Sequence, residues 1–400
     1  MFTSKAKKHI CMIAYTDYLG DGRVRREAES IAATGKYDVR VIALKRGPRP
    51  DSYAVDNVTV MEMNQAKYSG SSRFKYLSSY FNFILLSFVA CTKLFLDGKI
   101  DLVHVHNMPD LLIFAAIVPR LFGRKLVLDI HDTVPETYFS KFRTHPGMLF
   151  RILCLEELVC CSLAHKVIAV NHVQRDELVR RGIPAFKVFV SMNVPDDKRF
   201  HGDGSKPSND ESRNGFKLVY HGTVTKRLGI DLAIRALSKL VDQIADLEFH
   251  LWEKSGEYLG EVIQLGTALN VADRLRIIKG GVPYDELPKR LAGMDVGIVA
   301  NRKDAATELM LPVKLMEYIA MDIPVVAPRL RGIQYYFSDD MVSFFEPENV
   351  ESMANAILAL YRNEKLRKVQ AGKAKSFLEI YGWQKQKQDL IDFYDNLFNT

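Results

Sequence analysis

Short apolar runs alternate with longer amphipathic segments along almost the whole chain, and this alternation is the strongest constraint on the fold. Strands that are apolar on both faces need cover on both sides, which is typical of a parallel sheet flanked by helices. The pattern therefore predicts an α/β fold built on doubly wound parallel sheets. Two sets of strands are predicted, at residues 9–15, 38–44, 101–106, 125–130, 166–170 and 187–192, and at residues 216–221, 247–252, 274–279, 295–300, 323–327 and 341–345.

A polar segment separates the two sets. Residues 201–215, HGDGSKPSNDESRNG, are rich in Gly, Ser, Asn and Asp, a composition that predicts a linker. A chain of 400 residues is also too long for one ordinary hydrophobic core. We therefore predict a first domain at residues 1–200 and a second at residues 216–380. Residues 381–400 are amphipathic and are predicted to form a helix that packs back on the first domain.

Charge and cysteine content limit which partners and which cellular compartment we expect for this chain. Residues 1–200 carry 29 Lys and Arg against 20 Asp and Glu, whereas residues 201–400 carry 26 against 28. The first domain is thus expected to meet phosphate or an anionic surface, the alternative being a solvated surplus without function. The five cysteines include no CxxC pair, which indicates neither a disulfide framework nor a zinc site and favours the cytoplasm.

One apolar segment, residues 76–96, is a membrane candidate. Serine and asparagine interrupt it, and its unbroken apolar stretch is too short to span a bilayer. Two interpretations stay open: a helix resting on anionic lipid, with peripheral membrane contact through residues 73–99, or a helix packed in the core. Basic residues flank the segment on both sides: Arg73, Lys75, Lys93 and Lys99.

Candidate ligand-binding groups of the first domain follow its predicted strands. After the first strand come Gly20 and Gly22, and a helix is predicted from near Arg23; this arrangement is either an anion-binding loop or a plain turn. It is not a GxGxxG motif, because position 25 is Arg, so a nicotinamide dehydrogenase is poorly supported.

Three histidines lie at the ends of later strands of the first domain. His131 is the strongest candidate to hydrogen-bond a sugar hydroxyl or to titrate near neutral pH. His106, with Asn107, is either a site residue or a structural partner of its loop. His104 alternates inward along its strand and is expected to be a satisfied core histidine.

In the second domain, cations precede a predicted helix. Gly222 allows close backbone approach, and Lys226 and Arg227 stand just before a helix that starts near Gly229. Two cations beside a helix N-terminus would hold a diphosphate without a metal ion, and solvated surface charge is the alternative.

A second helix of this domain is predicted from Pro312, which suits a first helical turn. Lys314 and Glu317 are three residues apart and share a face, so Lys314 can reach phosphate while Glu317 accepts hydrogen bonds from a ribose diol. Leu315, Met316 and Ile319 are expected to pack inward. Asp322 ends the helix in the left-handed conformation where glycine is usual. A simple surface ion pair is the competing interpretation.

Seven segments together resemble the retaining glycosyltransferases of family 4: GDGRVRREAESIAATGKYDVRVIAL, DLVHVHNMPDLL, LVLDIHDTVPE, VIAVNHVQRDELVRRGIPAFKVFVSMNVPD, YHGTVTKRLGIDLAI, GGVPYDELPKRLAGMDVGIV and LPVKLMEYIAMDIPVVA. The resemblance runs from about residue 9 to residue 398. It implies the GT-B fold, in which two doubly wound Rossmann-like domains face a central cleft. It also implies transfer of a sugar from a nucleotide-diphosphate sugar with retention of the anomeric configuration.

The resemblance assigns roles to the candidate residues. His131 and Glu308 would be the catalytic side chains, with His131 contacting the transferred sugar. The acceptor and phosphate loop would comprise Gly20, Gly22, Arg23 and His106. Glu317 would bind the ribose and Lys226 or Arg227 the diphosphate, within a donor-binding set of Gly222, Thr223, Lys226, Arg227, Pro312, Lys314, Leu315 and Glu317.

Three positions depart from the family pattern. The glutamate usual eight residues before Glu317 is replaced by Leu309, so Glu308 is the neighbouring candidate. Thr223 stands where arginine is common, and Leu228 stands where lysine is common. These departures keep two alternatives open, a catalytically weakened scaffold protein and a nucleotide-sugar epimerase on the same fold.

The predicted partners are a nucleotide sugar and a lipid-linked or polysaccharide acceptor, as in cell-surface or exopolysaccharide synthesis. No cofactor, metal ion or nucleic-acid partner is predicted. The expected location is the cytoplasm, with the inner face of the cell membrane as the place of contact.

Overall fold

The computed structural model describes residues 7–66, 68, 72–142, 147–202, 215–254, 256 and 258–399. Of the predicted linker at 201–215, residues 203–214 lie outside the described residues. The described residues form two sheets, one mostly and one wholly parallel, as the alternation of strands and helices predicts, and the prediction of two doubly wound domains is confirmed.

The first sheet has eight strands in the order β3-β4-β2-β1-β5-β6-β7-β8. All neighbours pair in parallel except β3 and β4, which pair antiparallel. The strands are β1 Lys8–Ala14, β2 Tyr37–Leu44, β3 Ser52–Val55, β4 Val58–Met63, β5 Leu102–His106, β6 Lys125–Ile130, β7 Lys166–Ala169 and β8 Val188–Val190.

The second sheet has six strands, all parallel, in the order β11-β10-β9-β12-β13-β14. They are β9 Phe216–Gly222, β10 Leu247–Glu253, β11 Leu275–Lys279, β12 Val296–Ile298, β13 Val325–Pro328 and β14 Ser343–Phe345. In each sheet the chain first adds strands on one side of its first strand and later adds strands on the other side. The switch lies between β1 and β5 in the first sheet and between β9 and β12 in the second. Ligands of doubly wound sheets bind beyond the carboxyl ends of the strands at such points.

Helices connect most of the strands. Within the described ranges, those before β9 are α1 Gly22–Ala32, α2 Arg73–Leu96, α3 Ile117–Leu121, α4 Val134–Phe142, α5 Met148–Leu163 and α6 His172–Arg180. Those after β9 are α7 Ile230–Leu240, α8 Leu259–Ala268, α9 Leu287–Leu291, α10 Val313–Ala320, α11 Arg331–Gln334, α12 Val350–Arg362, α13 Glu364–Ala374, α14 Ser376–Tyr381 and α15 Trp383–Asn399.

The chain divides into two compact units. The first comprises Met1–Asn193 with Gln386–Thr400, and the second comprises Val194–Lys385. The first boundary therefore lies seven residues before the predicted end of the first domain at residue 200. The return to the first unit comes at Gln386, five residues after the predicted start of the last segment at 381.

The first sheet buries different strand residues on its two faces, because alternate side chains of a strand point to opposite sides. Ile10, Met12 and Ala14 of β1 pack in a cluster with α1 and with Leu390 and Tyr394 of α15. The intervening residues of β1 pack in a second cluster with α2 and α5. The helix α15 thus supplies part of one core face.

The edge hairpin of β3 and β4 is absent from the sequence prediction. Its turn residues, Asp56 and Asn57, have φ of 48° and 62°, and two consecutive left-handed residues are the requirement of a tight hairpin turn. The alternating residues SYAV and VTVMEM on either side of Asp-Asn are the signal that identifies this hairpin in the sequence.

Candidate functional site

The candidate site of the second unit lies at the reversal between β9 and β12. The end of β9 supplies Tyr220, His221 and Gly222, and α10, which follows β12, supplies Lys314 and Glu317. The helix ends as predicted, with Asp322 at a φ of 59°. The structure therefore brings the loop after β9 and the start of α10 to the same edge of the sheet.

Lys314 is the most unusual cation of this region. Its ammonium lies 3.5 Å from the centroid of the Tyr220 ring, and in the described part of the chain it has no hydrogen-bond acceptor. Burial lowers the pKa of Lys314 to about 7, an effect that the negative charge of Glu317 opposes. A Cβ on Gly222, which has a φ of 112°, would lie 3.5 Å from this ammonium. Glycine at the strand end thus leaves access to a buried amine that has no hydrogen-bond acceptor among the described residues.

Glu317 lies beside a histidine that sequence analysis did not single out. Its Oε2 is 3.3 Å from Nε2 of His221, and both side chains are largely buried. Burial, together with the charge of Lys314, lowers the pKa of His221 to about 3. His221 is therefore neutral near pH 7 and does not neutralise Glu317. Its position directly before Gly222 at a strand end is the signal that marks it in the sequence.

Lys226 and Arg227 form a single helical turn just before α7, where the sequence predicts them. Lys226 is exposed and Arg227 half-buried, and neither side chain has an ion-pair partner among the described residues. Arg302 fixes this turn, because its backbone amide donates to the carbonyl of Arg227 and its Nε to that of Lys226. Gly229 caps α7 with a φ of 67°, and a Cβ there would lie 1.9 Å from the carbonyl oxygen of Ala300.

Several predicted donor residues have other surroundings. The side chain of Leu315 is fully buried, so it belongs to the core and not to a ligand surface. Pro312 is buried as the N-cap of α10, and Thr223 is exposed. Glu308 accepts a hydrogen bond of 3.0 Å from the amide of Arg331 at the start of α11 and lies 3.4 Å from Lys303. Its carboxylate is thus engaged in this structure.

In the first unit, a buried group of charged side chains surrounds Asp129. Both of its carboxylate oxygens accept from Arg23 at 3.0 Å, and Arg23 also donates to the carbonyl of Ser191. Oδ2 lies 3.2 Å from Nδ1 of His106 and 3.0 Å from Nε2 of His131. A charged residue inside the otherwise apolar segment LVLDI, residues 126–130, is the signal that marks Asp129 in the sequence.

This group sets the protonation of its histidines. Burial alone would lower the pKa of His131, but the charge of Asp129 outweighs it and raises that pKa above its usual range. Burial, together with His104, lowers the pKa of His106 to about 3. The side chain of His131 is 23% exposed, whereas His104 and His106 are buried. His131 is therefore the histidine of this group that a ligand can reach.

The structure places the four residues of the predicted acceptor and phosphate loop in two different environments, two exposed and two buried. Gly20 and Gly22 are exposed, and a Cβ on Gly22 would meet no atom within 4 Å. Arg23 and His106, in contrast, lie behind the loop against Asp129 and do not face a ligand. The N-terminus of α1 already has an anion, because Asp21 accepts from the amides of Arg23 and Val24. The structure therefore favours a carboxylate-capped turn over a phosphate site at this helix end.

Four ligand-type residues of this group, Glu27, His104, His106 and Asp129, have atoms within 4.8 Å of one another. Their spacing alone would allow a metal ion. Arg23, however, contacts both oxygens of Asp129 and lies 3.1 Å from Glu27, so a buried cation already neutralises these carboxylates. A further divalent charge would be repelled by the guanidinium, and we assign no metal to the group.

Comparison with protein families gives two matches. The family described as glycosyl transferase 4-like domain matches residues 22–193, and the family described as glycosyl transferases group 1 matches residues 215–363. The chain is 23% identical over 202 residues to the amylovoran biosynthesis glycosyltransferase AmsK of Erwinia amylovora, which covers 50% of this chain and 48% of AmsK. The chain therefore matches about half the length of that relative. It is 20% identical to the glycosyltransferase MJ1178 of Methanocaldococcus jannaschii over 312 residues, 74% of this chain and 76% of that protein.

Solved structures are similar over nearly the whole chain. Sucrose-phosphate synthase from Thermosynechococcus elongatus superposes with a TM-score of 0.79 at 16% identity, covering 98% of this chain and 100% of that one. Anabaena HepE in complex with UDP-glucose superposes with a TM-score of 0.72 at 16% identity, covering 97% and 100%. At these identities the similarity establishes the fold.

Proposed function

We propose that this GT-B glycosyltransferase, whose two units match glycosyltransferase families over residues 22–193 and 215–363, transfers a sugar from a nucleotide-diphosphate sugar to a lipid-linked or polysaccharide acceptor. We further propose retention of the anomeric configuration, as in family 4. The name of AmsK, a glycosyltransferase of amylovoran biosynthesis, supports a role in polysaccharide synthesis.

The observation that carries the proposal is the pair Lys314 and Glu317. Lys314 is a buried amine without an acceptor among the described residues, and Glu317 is a largely buried carboxylate on the same helix face. A nucleotide diphosphate offers the complement to both, since its phosphates supply the anion and its ribose supplies two hydroxyl donors. A simple surface ion pair would not be buried in this way.

The proposed mechanism depends on charge that develops as the sugar leaves. Departure of the nucleotide diphosphate places negative charge on its phosphates, and cations held in place before the reaction stabilise the transition state most where that charge grows. We assign this role to Lys314 and to Lys226 or Arg227, which can neutralise a diphosphate without a metal ion. His131, a residue of the first unit, is proposed to hydrogen-bond a sugar hydroxyl.

The decisive experiment is a thermal-shift screen of the whole protein against nucleoside diphosphates and nucleotide sugars. We expect the nucleotides that carry one particular base to raise the melting temperature by several degrees. A ligand that binds only the folded state stabilises that state by mass action. A radiolabelled donor with a panel of glycan and lipid-linked acceptors then tests transfer. Absence of any shift across the common nucleotides would contradict donor binding.

The pKa of Lys314 predicts a pH dependence for donor binding. A diphosphate needs the ammonium form, but burial lowers the pKa of Lys314 to about 7, so binding above that pH requires proton uptake. Affinity for a nucleoside diphosphate should therefore fall by up to about tenfold per pH unit between about pH 7.5 and 9. Titration calorimetry in buffers of different ionisation enthalpy measures both the affinity and the proton uptake.

Two variants control this prediction. Lys314→Met should bind more weakly and lose the pH slope, whereas Lys226→Met should bind more weakly but keep it. A flat affinity profile of the unaltered protein, without proton uptake, would refute the role of Lys314.

A weakened transferase is the second candidate, and the surroundings of Glu308 favour it. Leu309 is buried where the family pattern has a glutamate, and the carboxylate of Glu308 is engaged by the Arg331 amide and by Lys303. Donor binding without sugar transfer to any acceptor of the panel would support this candidate over the active enzyme.

A further inference from the structure

The first unit exposes one large apolar face. We define the apolar face as α2, residues 110–122 and α5. It contains fifteen of the 22 exposed large apolar side chains found in the described part of the chain. They are Phe74, Leu77, Phe81, Leu85, Val89 and Leu96 of α2, Leu111, Phe114, Leu121 and Phe122 of the connecting segment, and Met148, Leu149, Ile152, Leu155 and Val159 of α5.

The three parts form one continuous surface. Buried residues of α2, of residues 110–116 and of α5 belong to a single core cluster on the same side of the sheet. Residues 110–116 contact both helices, and at one end the rings of Phe95 and Phe122 pack 5.5 Å apart. Exposed apolar areas of this extent on a soluble protein mark a site of interaction.

One face of the helix α2 packs into the core of the first unit. Its 23 residues Phe74–Leu96 are long and apolar enough to span a bilayer, contrary to the sequence prediction, but a stripe along the helix is fixed in the core. Phe83, Ser87, Cys91 and Leu94 are at most 6% exposed and recur at helical spacing. Spanning would require this stripe to leave the sheet, so the exposed stripe on the other side of α2 is the part available to a partner.

Charge identifies the partner. The helix α2 contains no Asp or Glu, and Lys75, Lys93 and Lys99 are exposed at its two ends, as is Arg151 on α5. Of the acidic groups in and next to these elements, Asp110 and Glu157 are fully buried and do not reach the surface. Asp97 lies 3.5 Å from Lys99, and burial raises the pKa of Glu156 to about 6. Apolar side chains bordered by basic ones match a bilayer with anionic headgroups, whereas the cores of protein–protein interfaces are depleted in lysine.

We infer that the apolar face is a docking surface for an anionic lipid bilayer, in which α5 and residues 110–122 insert together with α2. Each exposed apolar side chain adds buried area, and each lysine adds attraction to lipid phosphate. Two helices lying in the membrane plane would hold the first unit in one orientation on the bilayer. The inference is independent of the proposed transfer reaction, because it requires neither donor nor acceptor.

Vesicle sedimentation of the whole protein tests the inference. Vesicles of phosphatidylcholine with about one third phosphatidylglycerol should bind the protein, and vesicles of phosphatidylcholine alone should bind it at least about fivefold more weakly. The double variants Leu77→Ser with Phe81→Ser on α2, and Met148→Ser with Leu155→Ser on α5, should each reduce partitioning at least about tenfold. All four side chains are at least 60% exposed, so the variants should fold.

Controls separate the alternatives. Val369→Ser with Ile380→Ser removes exposed apolar side chains of the second unit and should leave partitioning unchanged. Unchanged binding of the α5 variant would exclude α5 from the surface, and equal binding to both vesicle types would exclude the anionic preference. A dimer in sedimentation velocity that the α2 and α5 variants dissociate, without vesicle binding, would assign the face to a second copy of the chain and overturn the inference.

Discussion

Asp129→Asn is expected to lower the free energy of unfolding by about 3–5 kcal/mol, because it leaves the buried guanidinium of Arg23 without its main counter-charge. Arg23 is 6% exposed and donates to both oxygens of Asp129, so water cannot replace the lost carboxylate. Glu27 remains at 3.1 Å, but burial raises the pKa of its carboxyl despite the opposing charge of Arg23. Urea denaturation at neutral pH measures the loss.

The same variant should change the titration of His131. Burial alone would lower the pKa of His131, and the charge of Asp129 raises it, so removal of that charge should bring the pKa down. A raised histidine pKa gives stability that is complete below its unfolded value of about 6.5 and is lost as the pH rises through the folded value. We therefore expect the unaltered protein to lose stability as the pH rises through the raised pKa of His131, and Asp129→Asn not to show this pH dependence. NMR of the His131 imidazole measures its pKa in both proteins.

Asp101→Asn is the matched control for the Asp129 variant. Asp101 pairs with Arg124 at 3.5 Å near the surface and accepts a hydrogen bond of 2.9 Å from the amide of His9. An asparagine oxygen can still accept from that amide, and both side chains reach water, so loss of the charge should cost less than about 1 kcal/mol. Comparable losses for the two variants would show that burial of the Arg23 pair does not govern stability.

Glu317→Ala should weaken the binding of a nucleoside diphosphate by about 100-fold, because two hydrogen bonds from the ribose to a buried carboxylate would be lost. Glu317 also raises the pKa of Lys314 against the effect of burial. Its removal should thus lower the ammonium fraction of Lys314 near pH 7 and weaken the diphosphate contact as well. Titration calorimetry and the nucleotide-dependent thermal shift both report the change.

Two substitutions delimit the role of Glu317. Glu317→Gln keeps the shape of the side chain but not its charge. Its affinity for nucleotide should lie between that of the unaltered protein and that of Glu317→Ala. Glu351→Ala removes an exposed carboxylate of α12 that pairs with Lys239 and should leave binding unchanged. Nucleotide affinity of Glu317→Ala within about threefold of the unaltered protein would show that the ribose is bound elsewhere.

Much of the fold could be predicted because its determinants are local in sequence. Apolar strands alternating with helices identify the two parallel sheets, and the spacing of Lys314 and Glu317 places them on one helix face. A helix end commonly needs a left-handed residue, and in the absence of glycine Asp322 is the residue at the end of α10 that tolerates this conformation. The hairpin of β3 and β4 was missed, although its turn residues carry an equally local signal.

The sites were less predictable, because burial and contacts distant in sequence decide them. Nothing near His221 in the sequence places its ring 3.3 Å from Glu317. Similarly, the sequence pattern sets His104 apart as a core histidine, but for His106 it leaves a site residue and a structural partner open, and only the packing around Asp129 buries His106 while leaving His131 accessible. The ring of His104 is closed off by Tyr394, 290 residues later in the chain, whose hydroxyl contacts its Nδ1.

The sequence by itself determined the class of fold, the number of sheets and the helix face that carries Lys314 and Glu317. Tertiary structure alone decided which charged side chains are buried, and with that the lowered pKa of Lys314, the raised pKa of His131 and the apolar face formed by α2 and α5. The physical reason is that periodicity and backbone sterics act over a few residues. Desolvation and charge interactions depend instead on every element that packs around a group, wherever it lies in the chain.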